Sequence, residues 1–391
     1  LTLEVVEKHL ELLIGPQHPG SGHMRLVAKL DGDIIVGFDP DVGFVHRAVE
    51  KIAETKGYVQ IIPLVERPPL VDCVNVNLGY VLALEKLLGV EPPPQASYLR
   101  VLAAELNRVA SHLYGIAIHA IMIGSSTMFM WPLADREVLL ELLQDLSGAR
   151  VTYSYVIPGG VRRGLPEGFK EKALKAFRYL RRRLRDYDDL FLSNPVTVNR
   201  LRGVGVIEMR DAVNLGIVGP NLRASGVPYD VRRAEPYCVY SDLDFEVMTR
   251  REGDAYSRLL VRIGEIEQSM KIVEQCLDKN PSGPILHESF LRGLSPKARA
   301  YMEQTGRVRF PALFSALKPP QGEVSVRVEA GRGELFFYVV SDGSPTPYRL
   351  RMVTPSFRNL AAFRHVMVGN RLADIPAIYG SLDYFPPEAD R

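Results

Sequence analysis

Apolar residues alternate with polar ones toward both ends of the chain and recur every three or four positions between them. Near the start, Leu10 to Ile14, Met24 to Leu30 and Ile34 to Phe38 read as strands, with Asp31-Gly32 as the hairpin turn between the last two. From Val71 the period lengthens: Val74, Leu78, Val81, Leu82, Leu84, Leu87 and Leu88 fall at helical spacing, and Gly89 is the stop. A second, longer helix begins after Pro92-Pro93-Pro94, with Leu99, Leu102, Leu106, Val109, Leu113 and Ile116 along one side and Glu105 and Arg108 three apart on another. Further helices are expected over Asp135 to Leu146, Pro166 to Leu190 and Gly253 to Leu277. The stretches 219–229 and 281–297, rich in Pro, Gly and Ser, read as loops. After Gln321-Gly322 the alternation returns at Val324, Val326 and Val328, then in Leu335 to Val340 and Tyr348 to Val353. The expectation is an α+β fold in one compact unit: an N-terminal antiparallel sheet over 1–45, a helical body over 46–320, and C-terminal strands with a tail over 321–391.

Composition narrows the chemistry more than the fold. With 46% hydrophobic and 24% charged residues in 391, the chain can bury a deep core, and a net charge of +2 advertises no nucleic-acid partner. Cys73, Cys238 and Cys276 are far apart, with no C-x-x-C pair, so the chain alone does not ligate an iron–sulfur cluster or a structural zinc. So few thiols and the absence of a signal-peptide pattern suit the cytoplasm. Residues 116–134 are uncharged and long enough to span a bilayer, but His119, Gly124, Ser125, Ser126 and Pro132 interrupt them, which suits the end of a buried helix. No G-x-x-x-x-G-K-[ST] or strand-borne G-x-G-x-x-G occurs, so a nucleotide site is not expected.

Two local patterns stand out. GPQHPG at 15–20 holds His18 on a turn stiffened by two prolines. In ERPP at 66–69, Arg67 keeps its charge and must face carboxylates, carbonyls or solvent. Taken with LALEKLLG (82–89), ELNRVASHL (105–113), SGARVTYSYVIPGGV (147–161), GVGVI (203–207), LRASGVPYDVR (222–232), RGELFFYVVSDG (332–343), PYR (347–349), PSF (355–357) and SLDYFPPEADR (381–391), the chain resembles the large, hydrogenase-like subunit of respiratory complex I. The likeness is strongest to its archaeal counterpart in the deazaflavin-dependent dehydrogenase.

That resemblance implies a helical bundle of the nickel–iron hydrogenase large-subunit type. It also implies a peripheral position on the cytoplasmic face of the membrane, beside hydrophilic-arm subunits, membrane ion-pumping subunits and a small partner holding a 4Fe–4S cluster. A quinone-type acceptor binds at the interface, and this chain binds no cofactor alone. Nickel in such sites takes thiolates, and ERPPLVD and SLDYFPPEADR, where those would stand, hold none, so no metal ligand is expected. The implied pocket comprises His18, His23, Leu70, Met122 and Met128, with His23 as the catalytic donor, while Arg67 and Tyr153 face the cluster. The chain departs from the family at this pocket: Leu70 stands at the place of a tyrosine, Met122 at that of an aspartate and Tyr153 at that of a histidine. A phenol does not titrate in the neutral range, so the cluster's potential is expected to vary little with pH. The alternatives are a related membrane complex passing electrons to a soluble or sulfur-type acceptor, or a mainly structural subunit with a degenerate quinone site.

Overall fold

The computed structural model describes residues 9–18, 22–309 and 317–391. Three antiparallel strands, Leu10–Ile14, Arg25–Asp31 and Ile34–Asp41, lie side by side in chain order, and the second turns into the third at 31–34. Leu26, Ala28 and Leu30 are buried while Arg25 and Lys29 are exposed, the alternation of a sheet with one covered face. What covers it comes from the far end of the chain. Phe38 stacks on Phe363 with ring centroids 6.5 Å apart, and Met24, Leu26 and Ile35 share a core with Ile378 and Tyr379.

Helix Pro94–Met122, 29 residues long, is the axis of the body and packs on helices Ser126–Ser147 and Ala255–Lys279. Its proline start costs nothing, because the first N–H groups of a helix have no partner within it. Helix Cys73–Leu88 ends at Gly89, as its stop signal requires, and lies against the antiparallel sheet Gly322–Ala330, Gly333–Ser341 and Arg349–Val353. The class is α+β.

Local signals misplace some boundaries. The helix expected from Asp135 begins at Ser126 and carries Pro132 inside it. A proline removes one rung of the helical ladder, and burial of Met128, Leu139 and Leu142 outweighs that loss. The apolar stretch 116–134 is therefore the end of one helix and the start of another, broken at 123–125. Among the described residues no helix is long and apolar enough to cross a membrane. The expected loops at 219–229 and 281–297 contain short helices, Pro220–Ala224 and Glu288–Gly293, the first opened by a proline and the second capped by the His287 side chain. Beyond Val353 the chain is helical, through Pro355–Asn359, Ala361–Met367, Ile375–Leu382 and Pro386–Asp390.

One tight crossing fixes the C-terminal sheet on the body. Gly219 sits at φ 70, and a Cβ built there would lie 2.1 Å from the Arg332 carbonyl oxygen. Both conformation and space demand glycine. Gly219→Ala is expected to destabilise the fold by roughly 1–3 kcal/mol or more, read as a lowered thermal midpoint. An unchanged midpoint would show that the crossing opens freely.

Candidate functional site

A cavity of about 310 Å³ lies between helix 94–122 and the C-terminal segment, with Gly22 and His23 at its edge. Tyr114, Ile118 and Met122 come from the long helix, Tyr379 and Gly380 from helix 375–382, and Asp383 to Pro387 from the segment after it. The closing segment can lie this close because position 115 is glycine: a Cβ there would meet the Asp383 carboxylate at 2.9 Å. His23 is exposed and has φ 75, a left-handed backbone conformation that presents its side chain from the turn before the second strand. The walls are apolar and aromatic, with Tyr114 edge-on to Phe385 at 6.4 Å.

Charge gathers at the floor. Arg332 donates to the Asp383 carbonyl at 2.8 Å and to its Oδ1 at 3.2 Å, and its guanidinium lies over the Phe385 ring at 5.2 Å. Arg262 comes within 3.7 Å of Asp383 Oδ2, which has no hydrogen-bond partner among the described residues. Glu388 lies 3.7 Å from Arg332 and accepts from Ser356, and burial pushes its carboxyl up to about 7 against the pull of Arg332. A second buried network of charges lies elsewhere in the body. Glu265 pairs with His112 at 2.9 Å and Arg223 at 2.7 Å, Arg223 with Glu329, and Arg232 with Asp230 and Glu105. Burial holds the His112 imidazole below its usual range in spite of Glu265.

Arg67 and Leu70 lie outside this cavity. Arg67 is exposed and lines a groove of about 380 Å³ together with Arg47, Lys56, Gln60, Ile52, Pro63 and Leu64. No ion pair neutralises Arg47, Lys56 or Arg67 among the described residues, so the groove is basic. Leu70 is 41% exposed at the start of the turn Leu70–Asp72. Tyr153 is buried beside Cys73 and Glu66, and burial drives its phenol far above the usual range.

Of the residues singled out in the sequence, the structure thus brings His23 and Met122 to one cavity. Met128 is fully buried in the main core, and His18 is exposed on the segment before the undescribed residues 19–21, so neither lines it. Tyr114, Ile118, Tyr379, Asp383 and Phe385 were not singled out. The signal for the last two was SLDYFPPEADR, an apolar run closed by charges, which contributes as a whole rather than through one reactive residue. Among the described residues no three His, Cys, Asp or Glu side chains converge as a metal would require.

Residues 122–391 match the family described as "Respiratory-chain NADH dehydrogenase, 49 Kd subunit". A subunit of the NADH-quinone oxidoreductase of Rhizobium etli is 43% identical over 383 residues, covering 97% of this chain and 95% of that protein. A subunit of the F(420)H(2) dehydrogenase of Methanosarcina mazei is 42% identical over 379 residues, 97% of this chain and 96% of that one. Among solved structures, a chain of the membrane-bound sulfane sulfur reductase, an archaeal respiratory membrane complex, matches with a TM-score of 0.88 at 37% identity, covering 99% of this chain and 100% of the other.

Proposed function

The chain belongs to the family of the 49 Kd subunit of respiratory-chain NADH dehydrogenase, and on that premise we propose that it is the catalytic-arm subunit of a membrane-bound, complex I-like oxidoreductase. Its helical body is of the hydrogenase large-subunit type without the metal. A small partner holding a 4Fe–4S cluster docks over Arg67 and Tyr153, and electrons pass from it to a quinone-type acceptor, coupled to ion translocation by membrane subunits. The chain is then peripheral, on the cytoplasmic face of the membrane.

The observation that carries this reading is the cavity at His23. Its aromatic and apolar walls suit a planar, lipid-soluble head group, and His23 at its edge can donate a hydrogen bond to a carbonyl oxygen. Asp383, fixed by Arg332, closes the floor with a polar end. A cluster bound by the partner supplies single electrons. The work of this chain is to hold the acceptor, exclude water and supply a donor. A sulfur-type acceptor is the second reading, supported by the relative from the sulfane sulfur reductase and by Met122, which makes the cavity wall apolar.

A photoreactive quinone analogue, irradiated on the assembled complex, tests the choice. The expected result is labelling of the peptides holding His23 and residues 379–387, suppressed by excess unlabelled quinone. Label confined to other subunits, in a complex that reduces polysulfide, would favour the sulfur reading.

A further inference from the structure

Glu66, the residue before Arg67, is fully buried at the end of the one-turn helix Ile62–Val65. Its carboxylate is a crossing point. Asn77 on helix 73–88 donates its side-chain N–H to Oε1. Ser154 donates its backbone N–H to Oε1 and Oε2, at 2.8 and 3.1 Å, and its hydroxyl to Oε2 at 3.1 Å. The segment held in this way is a costly one. Thr152 and Ser154, on either side of Tyr153, have φ 53 and 40, a left-handed conformation that residues with a Cβ keep only when their surroundings impose it. One carboxylate therefore clamps the loop that bears Tyr153 to the turn that bears Arg67.

We propose that Glu66 is a positioning residue for electron transfer: ionised, it locks the Tyr153 loop against the Arg67 turn, and taking up a proton loosens that lock. The inference rests on the reading that the partner's cluster lies against Arg67 and Tyr153. A carboxylate accepts from every donor around it. A proton on Oε1 displaces the Ser154 N–H, which cannot accept, or forces the Asn77 amide to flip so that its Oδ1, which has no other partner among the described residues, accepts. A proton on Oε2 forces the Ser154 hydroxyl to turn round and accept.

The neighbours leave Glu66 free to titrate. From helix 73–88 and the turn before it come Cys73, Asn77 and Asp72, the last held by Asn75 and the Gly331 N–H. From the loop comes Tyr153, and from just beyond the strand pair that follows it Arg162, whose positive charge acts on Glu66, while Arg67 lines the outer groove. Burial raises the Glu66 carboxyl to about 7 against its hydrogen bonds and Arg162, and burial pushes Cys73 and Tyr153 far above that range. Reduction of a cluster beside this turn adds negative charge and favours the protonated acid. The potential should therefore fall as pH rises through the neutral range, even though Tyr153 has no proton to exchange there.

The test is a redox titration of the partner's cluster in the assembled complex, between about pH 6 and pH 8. Glu66→Gln keeps the shape but cannot ionise, and is expected to remove the slope and hold the potential at the unmodified protein's low-pH value. If Glu66→Gln does not assemble, Ser154→Ala serves: losing a donor to the carboxylate should move the centre of the slope to higher pH. The inference is overturned by an unmodified complex without a slope, by Glu66→Gln with the slope intact, or by Ser154→Ala with its centre unmoved. Arg67→Met separates the premise from the inference. If it lowers the potential while Glu66→Gln keeps the slope, only the role of Glu66 is wrong; if neither variant changes the potential, the cluster does not lie at this surface.

Discussion

Glu105→Ala should unfold in markedly less urea than the parent chain, with a loss of about 3–5 kcal/mol, the usual consequence of removing one partner from a buried ionic network. Glu105 is fully buried on helix 94–122. Its carboxylate accepts from Arg108 Nε at 3.1 Å, from Arg232 Nη1 at 3.1 Å, from the Ser269 hydroxyl at 2.7 Å and from the Tyr240 hydroxyl at 2.5 Å. Alanine would leave two guanidinium groups without their shared counter-charge. Arg232 would retain Asp230, and Arg108 would retain the carbonyls of Glu329 and Ala330. Those contacts limit the damage without cancelling it, since carbonyl oxygens solvate a cation less well than a carboxylate does. Burial alone would raise the Glu105 carboxyl, but Arg108 and Arg232 hold it down at about 2. Its contribution is therefore complete above the ordinary value of 4.5 and is lost as pH falls toward 2. Glu105→Gln should accordingly show a flatter loss of stability in acid than the parent. A Glu105→Ala chain with an unchanged urea midpoint would mean that water enters and replaces the carboxylate.

The periodic elements were legible because their signal lies within a local window of sequence. Strand Leu10–Ile14 and helix Cys73–Leu88 announce themselves by alternation and by helical spacing, whatever they later pack against. The helices after Val353 are short, and Pro355–Asn359, Ile375–Leu382 and Pro386–Asp390 have a proline in their first two positions; they persist because Phe363, Ile378 and Tyr379 fill the face of a sheet more than 300 residues earlier. No local window contains that contact. The site divides in the same way. His23 and Met122 line one cavity, whereas Leu70 and Met128 sit elsewhere. Asp383 depends on arginines from two separate elements, Arg262 on helix 255–279 and Arg332 in the turn between two strands. Glu66 shows the limit most clearly. Nothing local to ERPP marks it as a buried acceptor; its donors are Asn77 on helix 73–88 and Ser154, 88 residues away.

His23→Ala should lower the reduction of a soluble quinone analogue by about tenfold, the worth of one hydrogen bond of ~1–1.5 kcal/mol, and by more if the donor is the charged imidazolium. Assembly should be unaffected, because His23 is exposed and lies outside both hydrophobic cores. Besides His23, the side-chain donors lining the cavity are the phenols of Tyr114, Tyr379 and Tyr384. Ile118, Met122, Pro386 and Pro387 offer no hydrogen bond from their side chains, and the Asp383 carboxylate, whose Oδ1 accepts from Arg332, is an acceptor only. Carbonyl oxygens of a head group need donors, and an acceptor at the floor cannot replace one. Met122→Leu provides the contrast: a swap of similar volume in an apolar wall should cost less than about 1.5 kcal/mol in binding and leave the donor in place. Leu70→Tyr should bring little gain, since Leu70 does not line the cavity in which His23 stands. Measuring kcat and KM separately with the assembled complex makes the result specific. A donor that engages the acceptor only as it becomes charged lowers kcat, whereas one that merely anchors it raises KM. Full activity in His23→Ala would remove the imidazole from the reaction, and the search for the donor would then move to the phenols of Tyr114 and Tyr379, which line the same cavity.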